Sequence, residues 1–156
     1  MPMVPPWYGR KYPKFEDLEA HALRRGALVG VGDVPGALFV PPGCIMRGAP
    51  PLIMLPITSG PLERIWLLAH EVGHLLKHSG AASPARAHKV EVQADRWAAC
   101  ALIPEVAVQR YQNASVDAFI GALSRHYEDL PMQDCPQRRL AAEIATIRLK
   151  AIAGAP

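Results

Sequence analysis

The chemistry in this chain is concentrated in His70-Glu71-Val72-Gly73-His74, inside the apolar-rich stretch Leu62–His78. Read as a helix, the backbone turns by about 100° per residue. His70 and His74 then stand one turn apart on one face, with Glu71 beside them. Imidazole nitrogens are good ligands for a divalent metal, and a carboxylate next to them can act as a base on a metal-bound water. That combination points to metal-assisted hydrolysis.

Two histidines leave such a metal short of a protein ligand, and the candidates downstream are His78, His88, Glu91 and Asp95. Glu91 and Asp95 are the informative pair, because they lie one turn apart in a second helical stretch, Arg86–Ile103, next to its apolar face of Val90, Ala94, Trp97, Ala98 and Ala101. One carboxylate can bind metal while the other accepts a hydrogen bond from the free N–H of a ligand histidine. A short loop between antiparallel helices brings Glu91 close to His70 and His74. The plain alternative is a solvated acidic face pairing with Lys89 or Arg96.

The elements that must position these residues follow from pattern. Lys14–Gly26 reads as a first helix, with Phe15, Leu18, Ala22 and Leu23 at helical spacing, a surface His21, and Gly26 as the stop. Ala27–Val31, Ala37–Val40 and Leu52–Ile57 are short apolar runs broken by glycine and proline, the pattern of a small antiparallel sheet. Pro56 places the end of the third run at an edge or a bend. Pro61 opens the helix that carries His70, its buried stripe being Ile65, Leu68, Ala69, Val72, Leu75 and Leu76, and Ser79-Gly80 closes it before a loop, Ala81–Ala85. Helices over Glu105–Tyr111, Val116–Tyr127 (capped by Ser115) and Gln137–Ile152 complete an α+β chain whose second half is mainly helical.

Composition excludes more than it identifies. The 156 residues carry a net charge of +3, are half apolar and one-fifth charged, and fit one domain with a modest core. No Lys or Arg run resembles a nucleic-acid arm, so direct nucleic-acid binding is not expected. No apolar run approaches the ~18 residues of a membrane span, and the Pro-rich start lacks the pattern of a signal peptide. Three scattered cysteines (Cys44, Cys100 and Cys135) without a C-x-x-C pair suit reduced thiols in a cytoplasmic protein. Residues 1–13, with four prolines and Trp7, Tyr8 and Tyr12, read as an arm packing its aromatic side chains onto the domain.

The stretch Arg64–His78 resembles the metal-binding helix of the ImmA/IrrE family of metallopeptidases, whose pattern runs through Ala-His-Glu-x-Gly-His to a further His. Glu91-Val92-Gln93-Ala94-Asp95-Arg96-Trp97-Ala98-Ala99-Cys100-Ala101-Leu102-Ile103-Pro104 is similar to the family's second pattern, with glutamate, alanine, acid, aromatic, Ala-Ala and proline in register. Arg139-Leu140 matches a late Arg-Leu. Trp66 and Trp97 stand where phenylalanine is usual, and Leu67 where threonine is common. The resemblance implies a zincin-like metallopeptidase domain over 14–152 and a gluzincin-like zinc site. His70, His74 and Glu91 would be the ligands, Asp95 the support behind a ligand, and Glu71 the general base. It also implies a protein substrate, in several members a helix-turn-helix transcriptional repressor.

Two other readings compete. One is a metal-binding regulatory or interaction module that does not cut its partner. The other is a non-haem iron site, since two histidines and a carboxylate also describe that triad; an acid poised inside the His-x-x-x-His frame argues for hydrolysis instead. Zinc is the metal expected, although other divalent ions suit the same donors. For the group that would hold the oxyanion, His88, Tyr111, His126 and Tyr127 have the right chemistry, but packing or surface roles account for each. Oligomeric state and cleavage site leave no mark in the sequence.

Overall fold

The computed structural model of the chain describes residues 4–77, 84–111 and 114–154, with the side chains at 77 and 84–86 left out. The expected Ser79-Gly80 stop, most of the following loop and the candidate ligand His78 fall outside these residues. The described elements run α1 (Phe15–Arg24), β1 (Leu28–Gly32), β2 (Leu38–Val40), β3 (Leu52–Pro56), α2 (Pro61–Lys77), α3 (Pro84–Leu102), α4 (Glu105–Arg110), α5 (Val116–His126) and α6 (Pro136–Ile152). This is the α+β, zincin-like architecture, with a small sheet followed by helices.

The sheet is mixed rather than antiparallel. Its order is β1-β3-β2: β3 lies between the others, parallel to β1 (Leu28 opposite Leu52, Gly32 opposite Pro56) and antiparallel to β2 (Leu38 opposite Met54). The physical reason lies in burial. Ile53 and Leu55 of β3 are fully buried, whereas Leu28, Val31, Leu38 and Phe39 on the outer strands are exposed. The strand with the most apolar surface to hide takes the centre, against α2, and the segment between β1 and β2 is no two-residue hairpin that would force them to pair. Pro56 is therefore not at an edge; it ends the central strand, where its missing N–H costs nothing further along the ladder.

The helices form where apolar periodicity and stop signals place them. Gly26 takes a φ of +84° immediately after α1, a conformation that glycine adopts without steric penalty. Ser115 Oγ accepts the Ala118 N–H at 3.2 Å and caps α5. Ile65, Leu68, Ala69 and Val72 of α2 and Ala94, Trp97, Ala98 and Ala101 of α3 are buried, so the two helices share one core with Phe119 of α5 and Ile144 of α6. Among the described elements α2 and α3 make the most extensive contact.

The arm packs as expected. Trp7 is buried edge-on against His21 (ring centroids 6.4 Å) and Trp97 (6.5 Å), and Tyr8 stacks on Trp97 at 5.3 Å. The Val106 N–H donates to the Gly9 carbonyl at 3.1 Å and fixes the arm to the start of α4. His21, expected at the surface, is only 4 % exposed. The pattern of α1 alone places it outside because it lacks the arm that covers that face.

Candidate metal centre

The centre is built on two facing helix surfaces. α2 carries His70, Glu71 and His74, and α3 carries Glu91 and Asp95. His70 Nε2 and His74 Nε2 lie 3.0 Å apart. The carboxylate of Glu91 spans them, with one oxygen 3.1 Å from His70 Nε2 and the other 2.9 Å from His74 Nε2. From the other side of the ring, His70 Nδ1 donates to Asp95 Oδ1 at 2.8 Å.

That last contact fixes what the front of His70 can do. With its proton on Nδ1 and shared with Asp95, the neutral imidazole presents a bare lone pair at Nε2. The lone pair then faces a carboxylate oxygen and a second imidazole nitrogen, a convergence of donor atoms that a cation among them would satisfy. A tetrahedral ion with bonds of about 2.0–2.1 Å keeps neighbouring ligand atoms roughly 3.3 Å apart. The observed spacings of 2.9–3.1 Å are close to that, and the ligand atoms of His70, His74 and Glu91 all lie within 4.8 Å of one another. The three side chains fit a divalent metal of the zinc type, and their imidazole–carboxylate donor set also admits other ions.

Electrostatics follows the same layout in the protein alone. Burial lowers the His70 pKa, but the Asp95 hydrogen bond and the charges of Asp95, Glu91 and Glu71 outweigh it, and the net shift is upward. His74 moves down, through burial first and then the neighbouring His70, against the pull of Glu91 and Asp95. Glu71 is 9 % exposed, and burial, reinforced by Glu91 and opposed by His70, raises its carboxyl above the usual range. A buried carboxyl with a raised pKa next to two imidazoles holds a proton more readily than a free carboxylate, which suits a group that must take a proton and give it back.

The remaining candidates are placed elsewhere. His88 is exposed. Tyr111 bonds Arg125 and packs edge-on against Phe119, and His126 stacks on Tyr12 of the arm. Tyr127 reaches the Leu102 carbonyl at 3.5 Å. A groove of about 640 Å³ between the arm, the start of α2 and the end of α5 takes in Tyr12, Arg64, His126 and Tyr127 but none of His70, His74 and Glu91. None of these aromatic or imidazole groups contacts the centre, so no oxyanion donor emerges among the described residues.

Gly73, the glycine of the Ala-His-Glu-x-Gly-His pattern, also matters to the geometry, a role the sequence reading does not assign it. A Cβ built there would lie 3.1 Å from both Cα and O of Ala94. A glycine inside an otherwise strong helix was the available signal, since glycine is the poorest helix former after proline.

No curated protein and no solved structure matches the chain. The model of the IrrE N-terminal-like domain, a peptidase family, matches residues 29–128, which run from β1 to just past α5 and include all five residues of the centre. With that match spanning well over half of its length, the chain belongs to the IrrE N-terminal-like family of peptidases.

Proposed function

We propose that the protein is a zinc-dependent endopeptidase that hydrolyses a peptide bond in a protein substrate. The observation that carries this reading is Glu91 bridging the facing Nε2 atoms of His70 and His74, with buried Glu71 beside them on α2. His70, His74 and Glu91 would hold the metal, and Asp95 would fix the tautomer and orientation of His70 from behind. Zinc bound there would bring the pKa of a water ligand down towards ~7 and polarise the scissile carbonyl. Glu71 takes the proton of the attacking water and returns it to the leaving amine, and its raised pKa suits both transfers. The outer strands β1 and β2 each leave one edge unpaired within the described sheet, and an extended peptide can add to such an edge through backbone hydrogen bonds.

The substrate class we favour is a helix-turn-helix transcriptional repressor, supported by family membership alone. The test is to incubate the zinc-loaded protein with the product of a neighbouring repressor-like gene and follow cleavage by mass spectrometry. Wild type should cut it. Glu71→Gln should retain zinc and lose turnover by at least the ~10²–10⁴-fold of a general base. An active, zinc-loaded Glu71→Gln would sink the role of Glu71. Zinc binding without cleavage of that repressor would favour a non-proteolytic regulatory module.

A further inference from the structure

Gly73 lies between Glu71 and His74 on α2, and Ala94 lies between Glu91 and Asp95 on α3. The closest approach recorded for Gly73 is therefore at the middle of the centre, with every proposed ligand within one turn of it. The obstruction to a side chain at 73 is backbone: the ideal Cβ meets Ala94 Cα at 3.1 Å, Ala94 O at 3.1 Å and Ala94 C at 3.5 Å. Backbone inside a packed helix cannot rotate aside as the tip of a side chain can. Ala94 is itself fully buried, so α3 can only yield by moving away from α2 as a unit.

We propose that Gly73 is the positioning residue of the centre: its missing side chain sets the α2–α3 distance at which Glu91 reaches both His70 and His74 and Asp95 reaches His70. This rests on the reading of the three side chains as metal ligands. The contacts at stake are short, 2.9 and 3.1 Å from Glu91 to the two Nε2 atoms and 2.8 Å from Asp95 to His70 Nδ1. Retreat of α3 by a few tenths of an ångström, which a 3.1 Å contact demands, is shared by all of them at once. The local preference of α2 points the other way, because alanine is the better helix former. A residue that only served the stability of α2 would be alanine. Glycine there identifies spacing, rather than helix strength, as what position 73 supplies.

The experiment compares wild type, Gly73→Ala, the double variant Gly73→Ala/Ala94→Gly and a control, Ile144→Val, in the buried face of α6. Zinc affinity is read by competition with a chromophoric chelator, ligand geometry by the visible spectrum of the Co²⁺-substituted protein, and apo stability by thermal melting. Wild type and Ile144→Val should bind zinc equally. Gly73→Ala should bind it about 10–100-fold more weakly, the range seen when a ligand's support is disturbed, with a changed Co²⁺ spectrum. Its apo melting temperature is read beside that of Ile144→Val, so that a loss of affinity in a protein still folded at the assay temperature is a loss of spacing rather than of fold. The double variant should not recover affinity, because the contact is with Cα and O, which glycine at 94 retains. Wild-type affinity and spectrum in Gly73→Ala would overturn the proposal, as would full recovery in the double variant. Should Gly73→Ala lack a cooperative melt without metal, the zinc concentration that restores its helicity reads the same affinity, and a wild-type value there overturns it too. A wild type that binds no zinc would instead remove the metal reading and the proposal with it, so the two failures are separable.

Discussion

The protein places histidines in two environments that follow opposite rules. At the α2–α3 centre, His70 and His74 are surrounded by carboxylates: Glu91 in front, Asp95 behind and Glu71 alongside. Beneath the N-terminal arm, His21 is covered more completely, yet neither ring nitrogen has a hydrogen-bond partner among the described residues and the charges it senses come from Arg24 and Arg25. The first region gathers negative charge around nitrogen lone pairs, a donor set that suits a bound cation. The second sets arginine charge beside the imidazole instead and keeps it as an aromatic packing piece under Trp7. The same side chain is a candidate ligand in one place and a wedge in the other, and the neighbours decide which.

The comparison breaks most sharply at Glu91. Its carboxylate is the only acidic group contacting both Nε2 atoms among the described residues, so Glu91→Ala should lower zinc affinity by more than about 100-fold, beyond what loss of a supporting group does. Unchanged metal content on dialysis against buffered zinc would make the paired histidines a coincidence of helical spacing. Asp95→Asn is the milder lesion. The amide can still accept from His70 Nδ1–H but no longer carries charge, so affinity should fall towards the lower end of ~10–100-fold, with His70 turning over less readily as a ligand. Equilibrium dialysis or calorimetry reads either value.

His21 sharpens the other side. Burial, then Arg24 and Arg25, lower its pKa from 6.5 to about 4. The folded state thus binds fewer protons than the unfolded state across that interval. Stability is at its full value above the unfolded pKa, declines as pH falls from about 6.5 to about 4, and levels off for this residue below that. At about 1.4 kcal/mol per unit the loss is on the order of 3–4 kcal/mol. His21→Leu should flatten this acid limb in urea melts at pH 5 and leave stability at pH 8 unchanged or slightly raised, since an unpartnered buried polar group is removed. A limb as steep as wild type's would mean that other groups cause the acid loss.

How much of this was legible beforehand follows the same division. The residues of the centre could be read because their geometry is set by helical period: His70 with His74 and Glu91 with Asp95 each need only one turn of regular helix. The parallel pairing of β1 with β3 could not, because period 2 says which face a strand buries and nothing about its neighbour. His21 was missed for a related reason. Its burial comes from a non-periodic arm crossing α1, and no pattern within α1 encodes that. Gly73 was visible as an oddity in a good helix, but its meaning needed the second helix.

The buried guanidinium of Arg148 on α6 donates to the Ile103 carbonyl at 2.7 Å and to Glu105 at 3.2 Å, at the junction where α3 ends and α4 begins. A fragment trimmed to the family-matched residues 29–128 would discard this bolt together with Trp7 and the buried residues of α1 and α6. It would strip the Ile103 carbonyl, just past the end of the Glu91-bearing helix, of its guanidinium donor and uncover the faces of α3 and α5 that pack on α6. Such a fragment should show no cooperative melt by circular dichroism. The sequence that identifies the family is therefore shorter than the packed unit that surrounds its chemistry, and any shortened form of the chain is better bounded by packing than by the limits of the match.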